Sequence, residues 1–421
     1  MSSGLYSIRG MNDLFPDRAR LWDYLLGLTA RVCGEFCYDR IDFPIVGPTA
    51  LFCRAIGSDT DIVEKEMYSF TDNLNGDKLA LRPEGTACCL RAVAENNMTY
   101  GRQQRLWYHG PMFRHERPQK GRYRQFHQIG IECFGMSHEY TELEILLLNS
   151  ELWRCLGIGD SLELHVNTIG TLEERRLYRR VLVDYFSSHI DSLDDDSRRR
   201  LYSNPFRILD TKNKGMQSIV SNAPTFFKML TTETQDRYHE FLSTLTETGI
   251  PYIWNNRLVR GLDYYNGVVF EWVSNQLGSQ SAVCAGGRYD GLAKQLGYSN
   301  IYAVGCAIGI ERIVELCSDK ILPGGAIRLY AAHVGIEAFY KLHSLARDLR
   351  LAGWSVIVHP GVDPLGAQIK RADQFGCSAV LIIGESELKE ASVCIKFLAS
   401  GQQVKICFEK LQQFLIDSLK G

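Results

Sequence analysis

Several features are scarce or missing in this chain of 421 residues, and each absence removes a class of protein. No stretch approaches the ~20 consecutive apolar residues that a membrane-spanning helix needs. The opening MSSGLYSIRGMNDLFPD has no apolar core of the kind a secretory signal carries. The reading is a soluble, cytoplasmic chain with no membrane partner. Neither charge sign dominates: 47 Lys and Arg stand against 49 Asp and Glu, a formal net charge of −2. A generally basic nucleic-acid coat is thereby excluded, so any nucleic-acid contact must come from local patches. The 13 cysteines are odd in number and scattered. Paired CxxC spacings do not occur, only the single CxxxC of Cys33 and Cys37, so there is no zinc framework. Reduced thiols inside a cytosolic protein are the simpler reading. The two common nucleotide fingerprints, GxxxxGK[ST] and GxGxxG, are also missing. The partial matches GGRYDG (286–291) and GIG (157–159) read as turns.

What is present is hydrophobic content of 45% with 23% charge, the balance of a globular protein long enough for two or three domains. Residues 17–38 space Leu21, Leu25, Leu28, Val32 and Phe36 at helical intervals. Strands are expected at 78–83, 104–116 and 123–135, the last two forming one antiparallel hairpin around RPQKG. Further strands are expected within 258–273 and 281–292, and 302–317 reads as a strand running into a helix. From 171 to about 230 the chain becomes helical, with alternating charge blocks. A solvated helical insertion fits this best; its arginines (175, 176, 179, 180 and 198–200) also allow contact with a polyanion. LPGGA (322–326) has linker composition. Beyond it IRLYAAHV, WSVIVH and AVLIIG alternate with helical segments, predicting a small α/β domain over 327–421.

The hairpin carries the chemistry. FRHERPQKGRYRQFHQIGIECFG (113–135) holds arginines at 114, 117, 122 and 124 with Lys120, against Glu116, and then turns apolar except for Glu132. Alternate strand residues face opposite ways. Arg124, Phe126, Gln128, Gly130 and Glu132 therefore share one face, and Gln125, His127, Ile129 and Ile131 the other. Glycine inside a strand leaves a gap, so a small polar molecule is expected between Gln128 and Glu132. By parity Arg114 and Glu116 can share the ligand side. Guanidinium groups at this density, ahead of an apolar strand, point to phosphate oxygens. With no helix-based fingerprint, any ATP must be held by antiparallel strands and arginines.

Taken with IRGMNDLFP (8–16), the segment 52–70, LRPEGTA (81–87), LVRGLDYYNGVVFEW (258–272), CAGGRYDGL (284–292) and VGCAIGIERI (304–313), the hairpin resembles bacterial-type histidyl-tRNA synthetases, a class II aminoacyl-tRNA synthetase family. The likeness runs through nearly the whole chain, with the 113–135 hairpin as motif 2 and 304–313 as motif 3. It implies an α+β catalytic domain on a mixed, mainly antiparallel sheet (1–170 and 231–322), a helical insertion (171–230) and a C-terminal α/β anticodon-binding domain (327–421). It also implies ATP-dependent ligation of L-histidine to histidine tRNA through a histidyl-adenylate, with Mg2+ accompanying ATP and a homodimer. Arg114 then holds the α-phosphate, Phe126 and Arg312 stack on adenine, Glu116 lies on the adenine side and Arg122 on the outer phosphates. Glu84, Thr86 and Gln128 supply three acceptors for the α-ammonium. Glu132 and Tyr265, with Tyr264 alongside, read the imidazole. Arg260 sits between the substrate carboxylate and the α-phosphate. Arg117 and Gln119 reach the tRNA acceptor end, and Lys370 and Arg371 are candidate phosphate contacts in the last domain.

Two departures from the family pattern stand out. Gly47 and Pro48 replace an acidic and a polar residue, in the segment expected to form the dimer. Gly267 replaces a larger residue, an alteration expected at the rim of the site. The competing reading is a catalytically silent histidine-binding paralogue, the regulatory subunit of ATP phosphoribosyltransferase. Such a chain would dispense with the C-terminal domain and with much of the arginine set present here.

Overall fold

A computed structural model describes residues 4–58, 60–137, 140–209, 211, 213–317 and 327–419. The chain divides into two compact units, 1–321 and 322–421. The linker expected at 322–326 lies outside the described residues.

In the first unit the strands are β1 (Asp39–Arg40), β2 (Val46–Pro48), β3 (Ser69–Thr71), β4 (Lys78–Leu81), β5 (Gln104–Phe113), β6 (Gln125–Phe134), β7 (Glu163–Thr168), β8 (Tyr252–Trp254), β9 (Asn266–Val273), β10 (Ala282–Arg288) and β11 (Ala303–Gly309). Eight of them make one sheet in the order β1-β5-β6-β11-β10-β9-β7-β8, and β2-β4-β3 make a second. In the large sheet β1 with β5 and β7 with β8 run parallel, and every other neighbour pair is antiparallel. The expected mixed, mainly antiparallel sheet is thus present. The helices of this unit are α1 (Pro16–Glu35), α2 (Thr49–Ile56), α3 (Thr86–Glu95), α4 (Thr141–Leu156), α5 (Leu172–Ser187), α6 (Asp195–Ser203), α7 (Phe206–Leu209), α8 (Gln217–Asn222), α9 (Thr232–Glu247), α10 (Leu292–Gln295) and α11 (Ile310–Cys317). Among the described residues no helix is long and apolar enough to cross a membrane.

The hairpin forms as its alternation dictates. β5 and β6 pair from Gln104 opposite Phe134 to Phe113 opposite Gln125, and β6 pairs on its other side with β11. Ile129, Ile131 and Cys133 bury against Leu25, Leu28 and Val32 of α1 and Ile145 and Leu148 of α4. The even-numbered residues face the other way, where Phe126 packs at the edge of a second cluster containing Tyr108, Tyr264 and Tyr265. β11 runs directly into α11, as expected of 302–317.

Several boundaries differ from the sequence expectation. α1 stops at Glu35 because Cys37 takes a left-handed backbone (φ 61°), and the N–H groups of Phe36 and Cys37 turn back onto Val32 and Gly34. The strand expected to reach 116 ends at Phe113, since the His115 N–H leaves the ladder for the Glu66 carbonyl. Residues 258–265 are not strand; the carbonyls of Leu258, Gly261, Asp263 and Tyr265 bond to side chains instead of to a neighbouring strand. Among these, Asn167 Nδ2 donates to the Leu258 carbonyl at 2.9 Å.

The helical stretch after 171 is less solvated than expected. Tyr178, Leu182, Phe186, Leu201 and Ile208 are buried in the same cluster as Phe52, Ile56 and the two tyrosines 264 and 265. Its arginines are largely engaged within the protein. Arg179 donates to the Tyr202 and Ser203 carbonyls, Arg198 to those of Ile190 and Asp191, and Arg200 pairs with Asp61 at 3.0 Å.

The departures find local explanations. Gly47 and Pro48 pair with Ala80 and Leu79 on an edge strand, a position that tolerates proline. Gly267 is not at the cavity rim. It is a backbone joint at φ 64°, whose N–H and carbonyl bond to the Gly170 carbonyl and the Ile169 N–H at 2.9 and 2.8 Å.

The second unit carries β12 (Arg328–His333), β13 (Ser355–Val358), β14 (Ala379–Ile383), β15 (Ser392–Phe397) and β16 (Gln403–Cys407), with α12 (Ile336–Leu351), α13 (Leu365–Gln374), α14 (Glu385–Lys389) and α15 (Leu411–Leu419). The sheet order is β13-β12-β14-β15-β16. The first three strands are parallel and the last two add an antiparallel edge that the sequence reading did not anticipate. Buried aliphatic residues on both faces, Leu329 and Leu381 on one and Val380 and Ile382 on the other, make this the α/β layer arrangement predicted. Lys370 and Arg371 lie exposed on α13, Arg371 paired with Asp363.

Candidate active site

One cavity of about 530 Å³ opens on the even-numbered face of β6. That volume is ordinary for a site holding a small ligand or a nucleotide. Phe126 and Gln128 of β6, Glu271 of β9, and Glu311 and Arg312 of α11 line it. Glu84 and Thr86 enter at the head of α3, Arg114, Glu116 and Arg122 from the hairpin, and Arg260, Tyr264 and Tyr265 from the irregular segment. Arg114, Arg260 and Arg312, remote in sequence, therefore share one space. Arg117 and Gln119 do not line it. They are exposed where Gln119 and Arg122 exchange backbone hydrogen bonds across Gly121.

The arginines are pre-positioned by fixed partners. Arg114 Nε donates to the Pro83 carbonyl at 2.9 Å, and its guanidinium carbon lies 5.3 Å from the centre of the Phe126 ring. Arg312 is held by the carbonyls of Gly121 and Ala282. The cation over Phe126 is thus Arg114, while Arg312 stands elsewhere on the same cavity wall. Arg260 Nη1 donates to Glu271 Oε1 at 2.9 Å, and its guanidinium lies 5.9 Å from the Tyr265 ring centre. Glu116 takes Arg122 at 3.2 Å and Arg114 at 4.0 Å, so its carboxylate partly balances both guanidinium groups.

Three buried polar atoms of cavity-lining residues have no hydrogen-bond partner among the described residues: Glu116 Oε2, which faces Arg122 as an ion pair, and Gln128 Oε1 and Arg260 Nε. Of the last two, one is an acceptor and the other a donor on a cation. Buried polar groups are almost always satisfied, so this pair marks places for a ligand cation and a ligand anion. Glu84 is buried beside Gln128's wall and accepts the N–H groups of Thr86 and Ala87, both at 2.8 Å. Burial pushes its carboxyl upward, against those two hydrogen bonds.

Glu132 is placed differently from the sequence expectation. It does not line the cavity and is completely buried. The gap at Gly130 is filled by the Tyr108 ring: a Cβ there would fall 2.0 Å from it, and one on Gly85 2.3 Å. The Tyr108 and Thr86 hydroxyls donate to Glu132 Oε1 at 3.0 and 2.8 Å, and the Tyr289 hydroxyl donates to Oε2. Burial raises the Glu132 carboxyl to about 8 in spite of the hydroxyls of Tyr289, Thr86 and Tyr108. Tyr108, Tyr289 and Glu271 were not singled out in the sequence. The isolated carboxylate in VVFEWV could have flagged Glu271. Tyr108 becomes visible only once the register sets it opposite Gly130.

Among the described residues no three His, Cys, Asp or Glu side chains converge as a metal-ligand set. The cavity wall carries the carboxylate oxygens of Glu271 and Glu311, a donor type of which magnesium takes one or two; Glu271 Oε1 accepts from Arg260 and both Glu311 oxygens accept from the His127 N–H.

A mixed sheet with an arginine-bearing central hairpin, closed by a strand that runs into an arginine-bearing helix, defines the catalytic fold of a class II aminoacyl-tRNA synthetase. Residues 10–313 match the family model for histidyl-tRNA synthetase and residues 332–418 that for an anticodon binding domain. A histidine–tRNA ligase of Laribacter hongkongensis is 49% identical over 405 residues, 96% of this chain and 96% of that relative. The apo histidyl-tRNA synthetase of S. aureus superposes with a TM-score of 0.81 at 28% identity, covering 98% of this chain and 99% of that one. A Nostoc histidyl-tRNA synthetase shares the fold, with a TM-score of 0.71 at 19% identity over 99% and 100% of the two chains. The chain belongs to the histidyl-tRNA synthetase family.

Proposed function

We propose that the protein ligates L-histidine to histidine tRNA in two steps, by way of a histidyl-adenylate. The observation that carries this reading is the shared cavity of Arg114, Arg260 and Arg312, with the unpartnered Gln128 Oε1 and Arg260 Nε inside it. Gln128 Oε1, the Thr86 hydroxyl and Glu84 receive the α-ammonium, for which three acceptors are needed. A histidine carboxylate oxygen attacks the α-phosphorus of ATP in line, and the bond to the bridging oxygen breaks to release pyrophosphate. No general base is required, because the nucleophile is already ionised. Arg260 lies between two anions that repel each other, and Arg114 faces the charge that grows on the α-phosphate. Preorganised donors of this kind lower a barrier by about 3–4 kcal/mol each. A magnesium ion would neutralise the outer phosphates, with Arg122 on the same side. Adenine lies against Phe126 with Arg312 opposite and Glu116 at its edge.

The imidazole rests against Tyr264 and Tyr265 on the cavity wall, and Glu132, which does not line the cavity, acts on it through the Thr86, Tyr108 and Tyr289 hydroxyls that it holds. A donor and an acceptor at imidazole spacing reject analogues that leave them unpaired, by roughly 10⁴–10⁵. In the second step the terminal ribose hydroxyl of the tRNA attacks the adenylate's carbonyl carbon, and AMP leaves. Arg117 and Gln119, exposed at the hairpin tip, face the acceptor end, and the second unit takes the anticodon. The exposed Ile45, Val46 and Phe70 on the small sheet supply an apolar surface for a homodimer, and the setting is cytoplasmic.

Histidine should drive exchange of labelled pyrophosphate into ATP, and other amino acids should not. No exchange at saturating magnesium would reject the ligase in favour of the regulatory paralogue. That alternative is not favoured by a 49% identical ligase matched end to end, nor by the presence of the anticodon-binding unit.

A further inference from the structure

The segment that presents Arg260, Tyr264 and Tyr265 has no strand beside it. Backbone carbonyls removed from a ladder still need donors, and here the helical insertion provides them. Arg207 of α7 donates to the Gly261 carbonyl at 3.1 Å. Arg175 of α5 donates from one nitrogen to the carbonyls of Asp263, at 3.1 Å, and Tyr265, at 2.7 Å. Alternate carbonyls 261, 263 and 265 are thus held from one side, as a neighbouring strand would hold them. Asn204 adds a bond to the Asp263 side chain at 3.4 Å.

The clamp is itself anchored. Glu174, next to Arg175, is buried and accepts the Thr171 N–H at 2.8 Å and the Thr231 N–H and hydroxyl at 2.8 and 3.0 Å. One carboxylate therefore pins both ends of the insertion, where the chain leaves the sheet and where it returns. Arg175 is steadied in turn by the Phe206 ring, 5.5 Å from its guanidinium carbon.

We propose that Arg175 is a positioning residue for histidine activation: through the Asp263 and Tyr265 carbonyls it fixes the segment that aims Arg260 and Tyr265 into the cavity, so the seating of the insertion sets the catalytic geometry. This rests on the ligase reading above. Arg175 touches no substrate. Its effect comes from the placement of its neighbours, and a displacement of about 1 Å at a reacting centre can lower the rate by 10²-fold.

Arg175→Ala and Arg175→Lys are compared with Arg179→Ala, which removes bonds on the same helix that stay inside the insertion. In histidine-dependent pyrophosphate exchange, Arg175→Ala should lower kcat/KM for histidine by about 100-fold and leave KM for ATP within a factor of about two. Lysine should restore part of the loss, and Arg179→Ala should match wild type. Hydrogen exchange on the free protein gives a readout that needs no catalysis. The amides of Asp263 and Gly267, bonded to the Ile56 and Gly170 carbonyls, should exchange at least about 10-fold faster in Arg175→Ala only. Equal effects from Arg179→Ala, a common fall in all kinetic constants, or faster amide exchange with unchanged kinetics would each overturn the proposal. If wild type shows no histidine-dependent exchange, the ligase reading falls and the amide exchange alone decides whether the clamp exists.

Discussion

β6 and the segment 258–265 deliver residues to the same cavity by opposite means. β6 pairs along its whole length with β5 and from Gln128 to Phe134 with β11, so Gln128 is set by two ladders and Phe126 by one, over the apolar layer under Ile129 and Ile131. The segment 258–265 has no ladder and is held by side chains, chiefly Asn167, Arg175 and Arg207. The ladder makes a floor that tolerates loss of a single side chain. A backbone held by a handful of guanidinium bonds depends on each of them, and the residue it presents, Arg260, is the one whose placement matters most to the chemistry proposed.

The largest expected effect follows from that contrast. Arg260→Ala should lower the rate of adenylation by about 10²–10³-fold while ATP affinity changes little, read by single-turnover kinetics beside equilibrium binding of ATP. A parallel loss in both would assign Arg260 to ground-state binding and remove its special standing relative to the β6 residues.

Next comes the buried carboxyl under the floor. Glu132 is faced by Glu84, Cys89, Tyr108, Tyr264 and Tyr289, and burial raises it from an ordinary 4.5 to about 8. Between those values the folded state holds a proton that the unfolded state releases. Its contribution to stability is therefore complete below pH 4.5 and declines as pH rises to about 8, by up to ~1.4 kcal/mol per pH unit. Denaturation midpoints measured from pH 5 to 8.5 should fall less steeply in Glu132→Gln than in wild type. Equal slopes would mean that the carboxyl is ionised in the folded protein and that the floor is more polar than its burial implies.

The same contrast explains what could be read from the sequence. Period-two alternation in 123–135 separates Phe126 and Gln128 from Ile129 and Ile131, because a strand's facing is a property of local sequence. The short-range pattern also announces β11 running into α11. Register is not local. The sequence offered Gly130 as a ligand gap, whereas pairing with β5 sets Tyr108 opposite it and fills the space. The composition of 258–273 suits a strand throughout, yet residues 258–265 are not one. Nothing within them records that Arg175 and Arg207, more than fifty positions away, take the carbonyls. Assigning Arg260 and Tyr265 a role thus needed the family likeness, while Arg175 needed coordinates.

A smaller effect probes how tightly the floor is packed. Gly305 of β11 lies opposite Glu132, and a Cβ there would fall 1.6 Å from Oε2 and 2.9 Å from the Ile131 carbonyl. Gly305→Ala should destabilise the protein by about 1–3 kcal/mol, read from the urea midpoint at constant slope. A change below about 0.5 kcal/mol, the ordinary range for surface substitutions, would show that the ladder yields and is not the rigid partner in the comparison.

The smallest effect belongs to the joint between the two regimes. Gly267 is where the side-chain-held segment becomes the β9 ladder, and it turns there at φ 64°. Space is available: an added Cβ meets nothing nearer than Arg288 Cδ at 3.6 Å. Gly267→Ala therefore introduces backbone strain without a clash, about 1 kcal/mol for a non-glycine residue in the left-handed region. Thermal unfolding should register that loss, while kcat/KM for histidine stays near wild type, since the bonds to Ile169 and Gly170 survive. A drop in kcat/KM with little change in stability would mean that this joint, and not the insertion's arginines, sets the aim of Arg260.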